Sequence, residues 1–228
     1  MKYAIIADIH ANWEGLQTVL ADAQANKVTH YACLGDVVGY NANPKECLDL
    51  VRSMGMPVVK GNHDEYCASD IDLTGFNPMA ADAIKWTRKQ LSEEQRTWLR
   101  NLKYVRPVEG FTIVHATLDG PKRWGYVFDK LAAAASFTYQ NTGVCFFGHT
   151  HVPVAFVRDA TVRGGTSTMR SPCQSTVSRP ESLTSPMTTA STSHLRQCSR
   201  KASRFAGVTM AHMRSCDSLM RISSGERV

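Results

Sequence analysis

Short apolar runs alternate with stretches of helical periodicity along the first 158 residues. Residues 3–7 read as a buried strand that ends at Asp8. Trp13, Leu16, Val19, Leu20 and Ala23 recur at helical spacing, which predicts an amphipathic helix over residues 14–26. Residues 30–34 form a second strand, ending at Gly35-Asp36. Asn43-Pro44 then supplies a cap and a proline at the first helical position, opening a helix to about Met54. Residues 58–60 are a third strand, ending at Gly61-Asn62-His63-Asp64. Two more strands, 111–114 and 144–147, end at His115 and at Gly148-His149-Thr150-His151, and residues 154–157 are the last. This alternation predicts an α/β fold built on parallel βαβ units, with functional loops at the strand C-terminal ends.

Residues 66–104 differ in character. Asn77-Pro78 opens one helix, and Ser92-Glu93-Glu94-Gln95 is a capping box opening another, with Trp98, Leu99 and Leu102 on one face. The segment is either a cap bordering a substrate or an αα-hairpin packed on the sheet. Helical stripes of Trp and Leu favour the hairpin.

The pattern stops after Arg158. Residues 159–228 hold 14 Ser and 9 Thr, with Phe205 as the single aromatic, and neither periodicity persists. Such a stretch buries too little apolar area to offset chain entropy. The expected division is therefore a domain over 1–158, with its cap-like segment at 66–104, and a Ser/Thr/Arg-rich tail over 159–228. The tail reads either as a basic regulatory extension or as a non-native continuation, such as translation in a shifted frame. The formal charge of +6 changes meaning in this light. The tail carries 10 basic and 4 acidic residues while the body is neutral, so a high pI gives no ground for a nucleic-acid partner.

No apolar run approaches the roughly 18 residues that span a bilayer, and the N-terminus does not resemble a signal peptide. Seven cysteines, without CxxC spacing, argue against a disulfide framework and a cysteine zinc site. The expectation is a cytoplasmic protein with no membrane partner.

The strand ends carry the chemistry. Asp8-Ile9-His10, Gly35-Asp36, Gly61-Asn62-His63-Asp64, His115 and Gly148-His149-Thr150-His151 follow one another in that order. Imidazole nitrogens with carboxylate and amide oxygens suit divalent metals of intermediate hardness. Each piece alone is weak, since a lone Gly-Asp is uninformative and a lone His115 is more often a core residue. Gly148-His149-Thr150-His151 is the most specific single piece. Two divalent ions against Asp8, Asp36 and a bridging hydroxide would leave roughly +1 facing a pocket, which attracts phosphate. His30, His194 and His212 belong to no motif and read as structural or surface residues.

These five blocks resemble the metallophosphoesterase, or calcineurin-like phosphoesterase, superfamily, whose pattern is DxH, GD, GNH[DE], H and GHxH. The chain looks closest to its small bacterial branch of phosphodiesterases and diadenosine-tetraphosphatase-like proteins, over residues 1–158. The resemblance implies a four-layer α-β-β-α sandwich of the metallo-dependent phosphatase type, followed here by an atypical C-terminal segment. It implies that Asp8, His10 and His151 bind one metal, that Asn62, His115 and His149 bind a second, and that Asp36 bridges them. His63 would be the general acid, with Asp64 orienting its ring, and Asn62 and His63 would meet the substrate. The implied activity is hydrolysis of phosphomonoesters or phosphodiesters by a metal-bound hydroxide, on a small nucleotide-like substrate. Mn²⁺ is the foremost cofactor, with Fe, Zn and Ni also suited, and a homo-oligomer is a further option.

Two departures qualify the resemblance. Larger members extend the second block to GDxxDR, whereas this chain has Gly35-Asp36-Val37-Val38-Gly39-Tyr40, without the phosphate-gripping Arg. Small members follow GHTH with an NxGS-type turn and closing strands, which are missing after Arg158, and this favours the shifted-frame reading of the tail. The competing functions are a non-catalytic or truncated metal-binding relative, and a nuclease using the basic tail.

Overall fold

Alternation within one short strand sets the architecture. In the computed structural model, which describes residues 1–165 and the backbone of residues 211–212, β1 (Tyr3–Ile6) runs parallel to β2 (His30–Cys33), with Tyr3 opposite His30 and Ile6 opposite Cys33. Successive strand side chains point to opposite faces. Ile6, Cys33 and Val58 accordingly join one core, and Ile5, Ala7, Ala32, Leu34 and Val59 join another.

The first core lies under the helices. It collects Leu16 of α1 (Trp13–Ala25), Leu48 and Val51 of α2 (Pro44–Ser53), Cys67 of α3 (Asn62–Ala68), Ile84 of α4 (Pro78–Gln90) and Leu99 of α5 (Glu93–Arg100). Each fully buried Leu or Ile contributes about 1.5–3 kcal/mol. The second core is sheet against sheet: Phe111 and Ile113 of β4 (Phe111–Val114) face Ile5 and Leu34. β4 sits between β3 (Val105–Val108), antiparallel, and β5 (Cys145–Phe146), parallel. The remaining layer is α6 (Lys130–Thr138) beside the hairpin of β6 (Ala155–Arg158) and β7 (Val162–Gly165). Arg158 ties the two by donating to the Phe137 carbonyl at 2.9 Å. β8 (Ala211–His212) pairs antiparallel with β1. The molecule is a mixed α/β structure, as the resemblance implies.

Several expectations change. Residues 58–60 form two single parallel bridges, Cys33 to Val58 and Val59 to Lys103, in place of a full strand. Asn43 precedes α2 but makes no side-chain cap bond; its N–H donates instead to the Ala11 carbonyl. The periodicity missed α3, β3 and α6. α3 is only seven residues long and begins inside the Gly61-Asn62-His63-Asp64 block. β3 carries Pro107, which its edge position tolerates. Residues 66–104 pack as helices on the core, with Ile84 and Leu99 fully buried. Residues 154–157 are not the last strand, because the β6–β7 hairpin continues past position 158 to Gly165. The expected Ser/Thr/Arg-rich tail lies, from residue 166 onward and apart from β8, outside the described residues. Among the described residues no helix is long and apolar enough to cross a membrane.

Candidate metal centre

The chain turns sharply where the motifs fall. Asp8, His10, Asp36, His149 and His151 adopt left-handed backbone, with φ of +54°, +48°, +52°, +66° and +53°. That region is costly for residues with a Cβ and persists only where the surroundings enforce it. Here neighbouring loops enforce it. The N–H groups of Asp8 and His10 donate to the carbonyls of Gly35 and Asp36 at 3.1 and 2.8 Å. The loop after β1 is thus stitched to the loop after β2. Gly61 closes the third side, since a Cβ there would lie 2.0 Å from Asp36 Oδ1 and 2.4 Å from its backbone nitrogen.

All seven expected ligand side chains meet at this junction. Three groups of donor atoms lie within 4.8 Å of one another: Asp8, His10 and His151; His10, Asp36 and His63; Asp36, His115 and His149. Asn62 joins the last group, its Oδ1 3.0 Å from His115 Nε2. Asp36 Oδ2 lies 3.6 Å from His10 Nε2 and 3.3 Å from His115 Nε2, between the two halves. His10 Nε2 is 3.2 Å from His151 Nε2, which is 3.5 Å from Asp8 Oδ1. His63, expected as the general acid, also falls within one of these groups, beside His10 and Asp36.

Backbone carbonyls fix the rings. His115 Nδ1 pairs with the Leu34 carbonyl at 2.8 Å, His10 Nδ1 with that of Val38 at 3.3 Å, and His149 Nε2 with that of Trp124 at 2.9 Å. Each imidazole therefore donates at one nitrogen and presents the other to the cluster, which is how metal-ligating histidines are oriented. The donor set, carboxylate and amide oxygen with imidazole nitrogen, suits divalent cations.

Burial sets the electrostatics. It pushes the Asp8 carboxyl up to about 7, against the opposing pull of His115. Burial also lowers His10 to about 3 and His149 to about 4. For Asp36 burial works upward, yet His115 beside it holds the carboxyl well below the usual range. For His115 burial works downward, yet the charge and hydrogen bond of Asp36, with Asp8 and the Leu34 carbonyl, together raise it to about 9. Burial thus keeps His10 and His149 neutral beside an ionised Asp36, as a cation requires, and a bound cation would displace the proton that Asp36 holds on His115.

One expected role is corrected. Asp64 does not orient His63. Its Oδ2 accepts from the N–H groups of Asp36 and Gly61 at 2.8 and 3.0 Å, and its Oδ1 from those of Val37 and Val38 at 2.9 and 3.2 Å. The carboxylate is spent on four backbone donors and holds the Asp36 loop in place. His63 Nδ1 is buried without a partner, against Gly39, where a Cβ would lie 2.7 Å away.

The motif reading passed over the aromatic residues around the cluster. Tyr40 lies 4.3 Å from the His63 ring and 4.8 Å from His10. Trp124 supplies the carbonyl to His149, and Tyr126 stacks on His149 at 4.1 Å and 17°. Tyr40 and Trp124 share the left-handed backbone of the ligands, at φ +61° and +55°. The available signal was Trp124-Gly125-Tyr126-Val127-Phe128, a run of large aromatics in a loop after a His-ended strand.

Comparison with known proteins agrees with this geometry. The calcineurin-like phosphoesterase superfamily domain matches residues 1–179. An uncharacterized protein of Methanocaldococcus jannaschii is 36% identical over 154 residues, covering 66% of this chain and 62% of its own length. Among solved structures, a metallophosphoesterase from Sphaerobacter thermophilus is 40% identical with a TM-score of 0.61, covering 69% of this chain and 63% of that one. A hypothetical protein from Pyrococcus horikoshii OT3, 19% identical, shares the fold with a TM-score of 0.57 over 67% of this chain and 71% of its own. The chain spans less than two thirds of the length of the first two relatives.

Proposed function

The chain belongs to the calcineurin-like phosphoesterase superfamily, and from that premise we propose that it hydrolyses small phosphomonoesters or phosphodiesters with two divalent cations. The observation that carries this reading is that Asp36 Oδ2 lies beside His10, which also groups with Asp8 and His151, and beside His115, which also groups with His149. Asp8, His10 and His151 would hold one cation, Asn62, His115 and His149 the other, with Asp36 common to both. Cations so held would supply an activated water and neutralise charge on the phosphoryl oxygens. Mn²⁺ is our first choice, and the same donors suit Fe, Zn and Ni.

The other residues act on the ester. His63 would deliver a proton to the leaving oxygen from Nε2, opposite its enclosed Nδ1, and Asn62 beside it would meet the phosphoryl group. Burial lowers the pKa of His63, so the negative charge of a bound phosphate would be what favours its protonated form. Asp64 serves the same step indirectly, by fixing the Asp36 loop. We assign residues 1–158, extended by the β7 hairpin, as the catalytic body and 66–104 as its helical flank. A cytoplasmic location is supported by Cys33, Cys47, Cys67 and Cys145, all free among the described residues.

The test joins metal content with turnover. Purified protein should hold about two transition-metal ions and hydrolyse p-nitrophenyl phosphate or its bis-ester with Mn²⁺, and chelation should abolish this. His63→Ala should lower kcat by about 10²–10⁴-fold, and Asp36→Ala should lose metal as well as rate. Wild-type rates in both variants would overturn the proposal.

A further inference from the structure

A seven-residue helix is too short to hold itself in place, yet α3 carries Asn62 and His63 on its first turn. Carboxylates fix its leading end: the His63 N–H donates to Asp36 Oδ1 at 2.8 Å, and the Gly61 N–H to Asp64 Oδ2 at 3.0 Å. A helix fastened at one end alone would pivot about it. Guanidinium groups from the neighbouring helices grip the far end. Arg88 of α4 donates from Nε to the Tyr66 carbonyl and from Nη2 to that of Ile71, both at 2.9 Å. The Ala68 carbonyl accepts from two residues of α5, Arg96 Nε at 3.2 Å and Arg100 Nη1 at 2.8 Å. Ala68 is fully buried, so water does not serve that carbonyl. The carbonyl of Arg100 in turn accepts from Lys60 Nζ at 2.9 Å. One residue of α5 thus holds the chain on both sides of α3.

Resting on the phosphoesterase reading, we infer that Arg88, Arg96 and Arg100 are positioning residues for proton transfer: they set the tilt of α3 and through it the place of the His63 ring. Carbonyls in the last turn of a helix have no partner within it, and positive charge there opposes the negative end of the helix dipole. Bonds from a charged donor are also roughly twice as strong as neutral ones. Holding three long side chains costs rotamer freedom, and what they secure is the orientation of one short helix. The chemistry is sensitive to that orientation, since a displacement of about 1 Å at a reacting group lowers a rate by about 10²-fold. A displaced His63 would still lend its charge to the phosphoryl group but would miss the leaving oxygen. The loss therefore falls on esters with a poor leaving group, which depend most on the proton.

The experiment compares kcat for phenyl phosphate, which has a poor leaving group, and p-nitrophenyl phosphate, which has a good one, at equal bound Mn²⁺. Arg88→Ala and Arg96→Ala should each lower the phenyl rate by about 10–100-fold and the p-nitrophenyl rate by only about threefold. Ser92→Ala, which weakens the start of α5 without touching the arginines, should leave the ratio of the two rates unchanged. A second readout needs neither metal nor turnover: amide hydrogen exchange on chelated protein should quicken at residues 65–69 in both arginine variants and stay slow in β1 and β4. Equal losses on the two esters, the same change of ratio in Ser92→Ala, or exchange that is unchanged at 65–69 or quickened everywhere would overturn the positioning role and leave the phosphoesterase reading in place. Wild-type protein that turned over neither ester would instead overturn that reading, and the proton step with it.

Discussion

Asp64 illustrates how a buried charge acts through the backbone. It accepts four N–H groups from Gly61 and from residues 36–38, so it fixes the carboxylate that serves both donor groups. Asp64→Asn would turn an amide NH₂ toward N–H donors and should destabilise the protein by about 2–4 kcal/mol, read as a lower denaturant midpoint. A midpoint shift under 1 kcal/mol would show that the four bonds matter little. Gly61 offers a matching test. Gly61→Ala places a Cβ on Asp36 and should cost about 3 kcal/mol together with bound metal, measured by unfolding and by metal analysis. The gathered Asp, Asn and His side chains were legible because few other roles explain such residues at strand ends. Tyr40, Trp124 and Tyr126 were not, because an aromatic residue in a loop has many structural uses and only the fold shows which ring it meets.

Among the elements, legibility followed length and capping. α1 and α2 lie within about a residue of their expected bounds because each joins a clear stripe to a clear start. In α5 the capping box is formed as read: Ser92 Oγ accepts from Gln95 N at 3.2 Å, and Gln95 Oε1 accepts from Ser92 N at 3.0 Å. Gln95 also donates to Asp49 on α2 at 2.9 Å, which couples the cap to its neighbour. Ser92→Ala should therefore cost about 1 kcal/mol in unfolding with turnover unchanged; a loss of activity would place α5 closer to the chemistry than its packing indicates. α3 escaped notice because a seven-residue helix has too few turns to establish a stripe. Its first turn was also read as a loop motif, although Asn62 and His63 lie on it. β3 escaped because its Pro and Arg disrupt alternation at an edge where only one neighbour needs to pair.

At the scale of the whole molecule, the site lies where the ends of two sheets meet. The loops after β1 and β2 bring Asp8, His10 and Asp36, and those after β4 and β5 bring His115, His149 and His151. The sheet-to-sheet core is what sets their separation, so cations bound there would fasten the layers together. Saturating Mn²⁺ at about 100 times its Kd should stabilise the fold by about 2.7 kcal/mol and raise Tm by roughly 5–10 °C over chelated protein, as followed by calorimetry. An unchanged Tm would mean that the native state binds no ion more tightly than the unfolded chain does. The contact between His10 and His151 has a temporal side as well. These two rings sit 3.2 Å apart across 141 positions of sequence, a stretch that a ribosome takes about 7–30 s to polymerise. During that interval the first histidine is in place while its counterpart has yet to be translated, so the cluster can close only after the last motif clears the exit tunnel.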